Sequence, residues 1–505
     1  MARRRGRRIG IALIALVVCI VAAAGYSLSA VKNLPPPDET TMGTPTLDQL
    51  LAQKDVVDVK AVVDKHATGK AAILLSYDSR NKLETCGCSP FQLGGIAPRV
   101  SIIKATRAKL PTLVLDAGGI ADGNDSFNLL KMGTLIAGMK EGGYDGVNVG
   151  IGEMQLPPEK LVSMFSAGPQ LYSANVFAKG ISQDNTAPPA SPAKKAELPK
   201  TASPQDSYAP VAAPGFTTEL MGHTFGVVFM QFTQLTVKPE FSQDYLIGDP
   251  EAAFKDALAA APDVKEWILI AEGYDPPIEE FANKHPEVVL VLSGNKHVPE
   301  ETNVPKELAS GAYWFNTFLL GKYIGIINLD TPVLSRRLAF AGVNLPILST
   351  YEQDTAVTKL IKVDLHSKLK DVFQQQSFEY KAANIIPPED CRSCHAKQYA
   401  EFKSGPHINA LKTLEDKGQE YNLDCVSCHV VYDYTNDKMY SLQCISCHQE
   451  KTPLHGFRRQ AGQTEAEEPV AKPTYEFCVR CHTPEQSTPF KAHFKEYLEK
   501  VKHWD

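Results

Sequence analysis

Cys391-Arg392-Ser393-Cys394-His395, Cys425-Val426-Ser427-Cys428-His429, Cys444-Ile445-Ser446-Cys447-His448 and Cys478-Val479-Arg480-Cys481-His482 repeat one pentapeptide, C-x-x-C-H, in the last quarter of a 505-residue chain. Two thiols three positions apart can form thioethers with the two vinyl groups of a single haem, and the histidine that follows reaches the iron as proximal ligand. Random placement of 11 cysteines and 13 histidines in 505 positions gives roughly 0.006 matches, so four copies need a common cause. Zinc knuckles use C-x-x-C pairs and a thioredoxin-type site uses one, but neither requires histidine after the second cysteine four times. The sequence therefore assigns four covalent haem c groups to Cys391, Cys394, Cys425, Cys428, Cys444, Cys447, Cys478 and Cys481, with His395, His429, His448 and His482 as proximal ligands.

Outside the pentapeptides, four more histidines follow Asn384: His407, His455, His493 and His503. Four haems that are fully six-coordinate need four distal ligands, and the numbers match. Methionine ligation is disfavoured, because Met439 is the one methionine in this region. Residues 388–505 resemble the tetrahaem cytochromes typified by the electron carrier of hydroxylamine-oxidising nitrifiers. The likeness rests on Cys391–His395 followed by Tyr399, Phe402, Ser404, His407 and Ala410; on Leu423-Asp424 before Cys425; on Cys444–His448 followed by His455; and on His482-Thr483-Pro484 with a closing Lys500-Val501-Lys502-His503. It implies that His407, His455 and His503 are distal ligands, each serving a haem other than the one attached nearest in sequence. His493 is the fourth distal candidate, and a surface histidine on a Lys-rich helix is its other reading. Residues 384–505 are thus expected to form a mainly α, haem-packed tetrahaem cytochrome c domain. Packing four macrocycles into so short a segment brings them together, and bis-His ligation leaves few open iron positions, which favours electron transfer over substrate turnover.

Upstream the pattern changes. Apolar runs Ala71–Tyr77, Thr112–Asp116, Gly146–Val149 and Leu171–Asn175 alternate with helix-like Pro98–Lys109 and Asn128–Glu141. Further strands are expected at Thr224–Phe232, Glu266–Ala271, Val288–Ser293 and Lys322–Asp330, with a helix at Glu251–Ala261. This alternation predicts one α/β domain over 61–380. Gln183–Pro214, rich in Pro, Ala, Ser and Lys, reads as a disordered insertion that adds nothing to the core.

Residues 71–300 resemble the metallophosphatase domain of periplasmic 5′-nucleotidases, which implies an α/β metallophosphatase-like sandwich. The frame Gly94-Gly95, Leu115-Asp116-Ala117-Gly118 and Gly143-Tyr144-Asp145 fits, while the metal positions do not. Asp78-Ser79-Arg80 stands for Asp-x-His, Gly118-Gly119 for Gly-Asp, and Gly150-Ile151-Gly152-Glu153 for Gly-Asn-His-Glu. Ala271 or Glu272 replaces a strand-end His, and Gly294-Asn295-Lys296-His297 keeps only the last residue of Gly-His-x-His. Too few ligands remain for a dinuclear centre, so phosphatase activity is not expected. Cys86-Gly87-Cys88 follows the first strand and resembles a C-x-C segment of certain 5′-nucleotidase-like proteins, some of them selenocysteine-containing. That likeness implies redox-active thiols; a soft-metal site and a structural disulfide are the alternatives.

Arg3, Arg4, Arg5, Arg7 and Arg8 precede an uncharged stretch from Ile9 to Val31. Residues 1–31 read as a transmembrane signal anchor or a cleaved signal peptide, and residues 32–60, with Pro35-Pro36-Pro37, as a linker. The expected location is the bacterial periplasm, anchored to the inner membrane by residues 9–31. A net charge of −6 with no basic stripe beyond the N-terminus speaks against nucleic acid. The function expected is electron transfer, with other cytochromes or quinol-linked donors as partners. The alternative is a reductase in which the haems feed Cys86 and Cys88, which then act on a disulfide, an oxyanion or a metalloid.

Overall fold

Ala71-Ala72-Ile73-Leu74-Leu75-Ser76 is buried at every position, so both faces of this strand must be covered. The computed structural model describes residues 56–85, 93–181, 196–199, 207–233, 244–294, 305–318, 320–330, 339–375, 388–393, 395–433, 438–448, 474–483 and 490–501. All belong to the compact unit Asp55–Asp505. Ala71–Ser76 lies inside a six-stranded sheet whose order is Ala339–Pro346, Tyr323–Asp330, Ala71–Ser76, Thr112–Asp116, Gly146–Asn148, Leu171–Tyr172. The last four strands run parallel; the first two are antiparallel additions.

A seven-stranded sheet packs against the first. Its order is Lys306–Glu307, Tyr313–Thr317, Val288–Gly294, Glu266–Glu272, His223–Gln231, Gly215–Leu220, Ala196–Glu197. Period-2 alternation sorts its side chains. Ile268 and Ile270 meet Ile73, Leu75, Leu113 and Leu115 in the core between the sheets. Trp267, Leu269 and Ala271 point the other way, against Phe254 of the helix Pro250–Ala260 and Ile278 and Phe281 of the helix Asp275–Lys284. Ile96–Lys109 and Ser126–Gly142 are the crossovers between parallel strands on the first sheet. The architecture is a helix–sheet–sheet–helix sandwich. Ser126–Gly142 starts where the Asp125 carboxylate accepts the Asn128 amide and stops at Gly143, whose φ of 68° a Cβ would oppose.

Several expectations need correction. Within 183–214, Ala196–Glu197 pairs with the seven-stranded sheet, Ala209–Pro210 pairs with Val176–Ala178, and Leu198, Val211 and Ala212 are buried. Short strands in a Pro/Ala-rich context carry no periodicity, so composition concealed them. The strand expected at Leu171–Asn175 ends at Tyr172. The linker assigned to 32–60 already joins the fold at Val57, which bridges to Tyr351, and Val59 and Val63 are buried in the helix Val59–His66. Among the described residues no helix is long and apolar enough to cross a membrane. The anchor or signal assigned to 1–31, like Cys86, Cys88, Cys394, His455 and His503, lies outside the described residues.

Candidate functional site

The C-x-x-C-H spacing becomes geometry through the helix. Positions i, i+3 and i+4 share one helical face, so each pentapeptide that forms one turn presents two thiols and an imidazole together. Leu423–His429 is such a helix, opened by the Asn422 side chain accepting the Asp424 amide. Cys444–His448 is helical throughout. The His395 amide donates to the Cys391 carbonyl at 2.9 Å and the His482 amide to the Cys478 carbonyl at 3.0 Å, closing the same turn in the other two.

The turns also meet one another. The Cys428 thiol lies close to that of Cys481 and Cys391 close to Cys444, and Cys447 is within electrostatic reach of Cys478. The rings of His407 and His482 are 6.2 Å apart, and His482 stacks on Phe490 at 4.3 Å. Burial, helped for His407 by His429 and for His482 by His407 and His429, holds both imidazoles below the usual histidine range. A neutral imidazole is the form that ligates iron. Nδ1 of His429 sits 3.0 Å from the Ala410 carbonyl and 3.2 Å from the Thr413 hydroxyl. Carbonyl contact at Nδ1 orients the ring and leaves Nε2 for a metal, the usual outer support of a ligating histidine. This donor set fits haem c. His493 stands apart: it is exposed, and its Nδ1 is 3.2 Å from Glu496 in the helix Phe494–Val501 that follows it.

At the strand ends of the sandwich, the positions matched to metal ligands form a closed polar network. Glu153, fully buried, takes four backbone amides: Gly119 at 2.9 Å and Gly150 at 2.8 Å on one oxygen, Ile120 at 2.6 Å and Ala121 at 3.3 Å on the other. Burial raises its pKa against those hydrogen bonds. Glu272 accepts from the Ile151 amide at 2.8 Å, Gln231 at 2.9 Å and the Tyr77 hydroxyl at 3.3 Å. Asp78 pairs with Arg80 at 3.0 Å. Both oxygens of Glu153 and both of Glu272 thus accept from protein donors, and among the described residues no group of three or more His, Cys, Asp or Glu could hold a metal ion.

The chain leaving this network leads to the haem module. Asp78, Arg80 and Asn81 have φ of 54°, 42° and 54°, a strained run held by hydrogen bonds that their backbone amides donate to the Gly118, Gly119 and Ile120 carbonyls. Directly after it, Lys82 reaches Asp424 at 3.4 Å, and Glu84 accepts from Gln419 at 2.7 Å and pairs with Lys362 at 2.6 Å. Lys131, from Ser126–Gly142, also pairs with Asp424. Burial works against the Asp424 charge, but Lys131 and Lys82 still hold its carboxyl below the usual range. From the other side, His366 meets Glu420 at 3.0 Å, and Phe373 of the helix His366–Gln375 is buried with Leu414 and Val426. None of these contacts was legible in sequence. Lys131 was one residue of the helix-like Asn128–Glu141, and Asp424 registered only as a neighbour of Cys425.

Residues 390–483 match the family described as cytochrome c554 and c-prime, which gives this segment a c-type cytochrome character with covalently bound haem c. Among solved structures, the 5′-nucleotidase precursor of Thermus thermophilus is 16% identical, with a TM-score of 0.46 over 61% of this chain and 60% of that one. The NAD nucleotidase of Haemophilus influenzae is 14% identical, with a TM-score of 0.47 over 61% of each chain. The sulfate thiohydrolase of Thermus thermophilus is 14% identical, with a TM-score of 0.46 over 60% of this chain and 61% of that one. The chain spans about three fifths of the length of these structures. No curated protein matches it in sequence.

Proposed function

We propose that this chain is an exported electron-transfer protein whose residues 388–505 carry four haem c groups. The observation that carries the proposal is the convergence of four C-x-x-C-H turns, with the Nδ1 of His429 turned to a carbonyl. In this reading Cys391, Cys394, Cys425, Cys428, Cys444, Cys447, Cys478 and Cys481 attach the haems. His395, His429, His448 and His482 are proximal ligands, and His407, His455, His503 and His493 distal ones. Haem, when bound, supplies one-electron oxidation and reduction. The protein's part is to fix the imidazoles and keep them neutral. Residues 9–31 anchor the chain to the inner membrane from the periplasm, with other cytochromes or quinol-linked donors as partners. A pyridine haemochrome assay on the purified chain should give four haems; fewer than three would overturn the proposal.

A second reading is favoured by one observation: Lys82 and Glu84, two to four residues before Cys86, are fastened to Asp424 and Gln419 beside the second pentapeptide. In that reading Cys86 and Cys88 are redox thiols fed by the haem module. A Cys86→Ser, Cys88→Ser double variant separates the two. Loss of a reductive turnover with haem reduction intact supports the thiols, and no change of any kind removes them.

A further inference from the structure

Lys131 is a buried lysine with no place in either reading. Its side chain is 5% exposed, yet its ammonium is strongly hydrated when free, and such groups are buried only when paired. The partner is Asp424, which precedes Cys425 in the helix that also carries Cys428 and His429. Lys82 approaches the same carboxylate oxygen. Of the neighbouring charges, Glu84 is matched by Lys362. Within this cluster two ammonium groups against one carboxylate leave one net positive charge next to Cys425; Lys131 is withdrawn from water, while Asp424 and Lys82 keep 37% and 41% of their side chains exposed.

We propose that Lys131, Lys82 and Asp424 set the potential of the haem attached through Cys425, Cys428 and His429, raising it and making that haem the one at the α/β junction. The proposal rests on the haem reading above. A fixed positive charge favours the reduced iron, which carries one positive charge fewer than the oxidised iron, and the buried Lys131 is the one of the two lysines least screened by solvent. These are positioning residues: they act on the haem through charge and through the placement of its helix.

The test is a spectroelectrochemical titration of the full-length, haem-loaded protein. Lys131→Met should shift one of four one-electron components to lower potential, and Asp424→Asn should shift the same component to higher potential. The other three should stay in place, as should all four in Lys284→Met, on the distant helix Asp275–Lys284. Opposite signs are diagnostic, because mere loosening of the helix would admit water and move both variants the same way. Should Lys131→Met fail to fold, Lys82→Met, at a lysine 41% exposed, must give the same downward shift. Four haems with no shift, or with shifts of one sign, overturn the charge cluster alone. A wild-type haem count below three overturns the haem reading itself.

Discussion

Glu153 turns a glycine-rich loop into a rigid turn. Its two carboxylate oxygens gather four amides, which as buried donors would otherwise lack an acceptor. Glu153→Gln sets an amide donor against N–H groups and should cost about 2–3 kcal/mol, read as a lower denaturation midpoint. An unchanged midpoint would show that another acceptor serves those amides. Gly150 leaves the space this arrangement needs: a Cβ there would collide with Oε2 of Glu272 and lie 2.8 Å from Oε2 of Glu153. Gly150→Ala should therefore destabilise by about 1–3 kcal/mol through overpacking. Asp116 supplies a pH signature. Burial pushes its carboxyl up to about 7, against hydrogen bonds from Ser76 and Gly118. Between about pH 4 and 7 the unfolded chain has released this proton and the folded chain retains it. Stability should fall as pH rises through that window, by at most about 1.4 kcal/mol per unit, and level off above it. Asp116→Asn should lose that slope in thermal unfolding measured at pH 5 and pH 8.

At the level of elements, the decisive pieces are short. One helical turn suffices to set two thiols and an imidazole on a common face, which is why the pentapeptides could be read without any tertiary information. The junction depends on a longer element. Thr355–Lys359, a π-helical stretch Leu360–Leu365 and His366–Gln375 follow one another, so that Val357 is buried at the start and Phe373 is carried to the haem module. Phe373 meets Tyr421 at 5.6 Å and Tyr432 at 5.2 Å, both edge-on. Phe373→Ala should cost about 3–5 kcal/mol of local stability. Amide exchange should then quicken over residues 410–432 while the strands Ala71–Ser76 and Glu266–Glu272 keep their protection. Uniform acceleration would mean that the junction and the sandwich open as one unit.

Across the whole molecule, legibility follows burial pattern. Strands covered on both faces, such as Ala71–Ser76 and Glu266–Glu272, are apolar runs that sequence finds to within a residue or so. Gly215–Leu220 and Ala339–Pro346 escaped notice because they mix polar residues and glycine near the flanks of the sheets: Ala339–Pro346 is an edge strand, and Gly215–Leu220 has only the two-residue Ala196–Glu197 on its outer side, so partial exposure relaxes the pattern. The side chains at the positions compared with metal ligands were readable one by one. What closes the site was not, because the amides that Glu153 binds are backbone groups with no letter in the sequence. The sequence by itself determined the haem chemistry, since attachment needs only a fixed local spacing, and it determined the alternation of strand and helix that makes a sandwich. Tertiary structure alone decided that Lys131 meets Asp424 across 293 positions, that Lys82 and Glu84 fasten the sandwich to Asp424 and Gln419 beside the second pentapeptide, and that the rings of His407 and His482 come within 6.2 Å. Such pairings are set by how two independently patterned segments pack, and a charged residue looks the same in sequence whether it faces water or a buried partner.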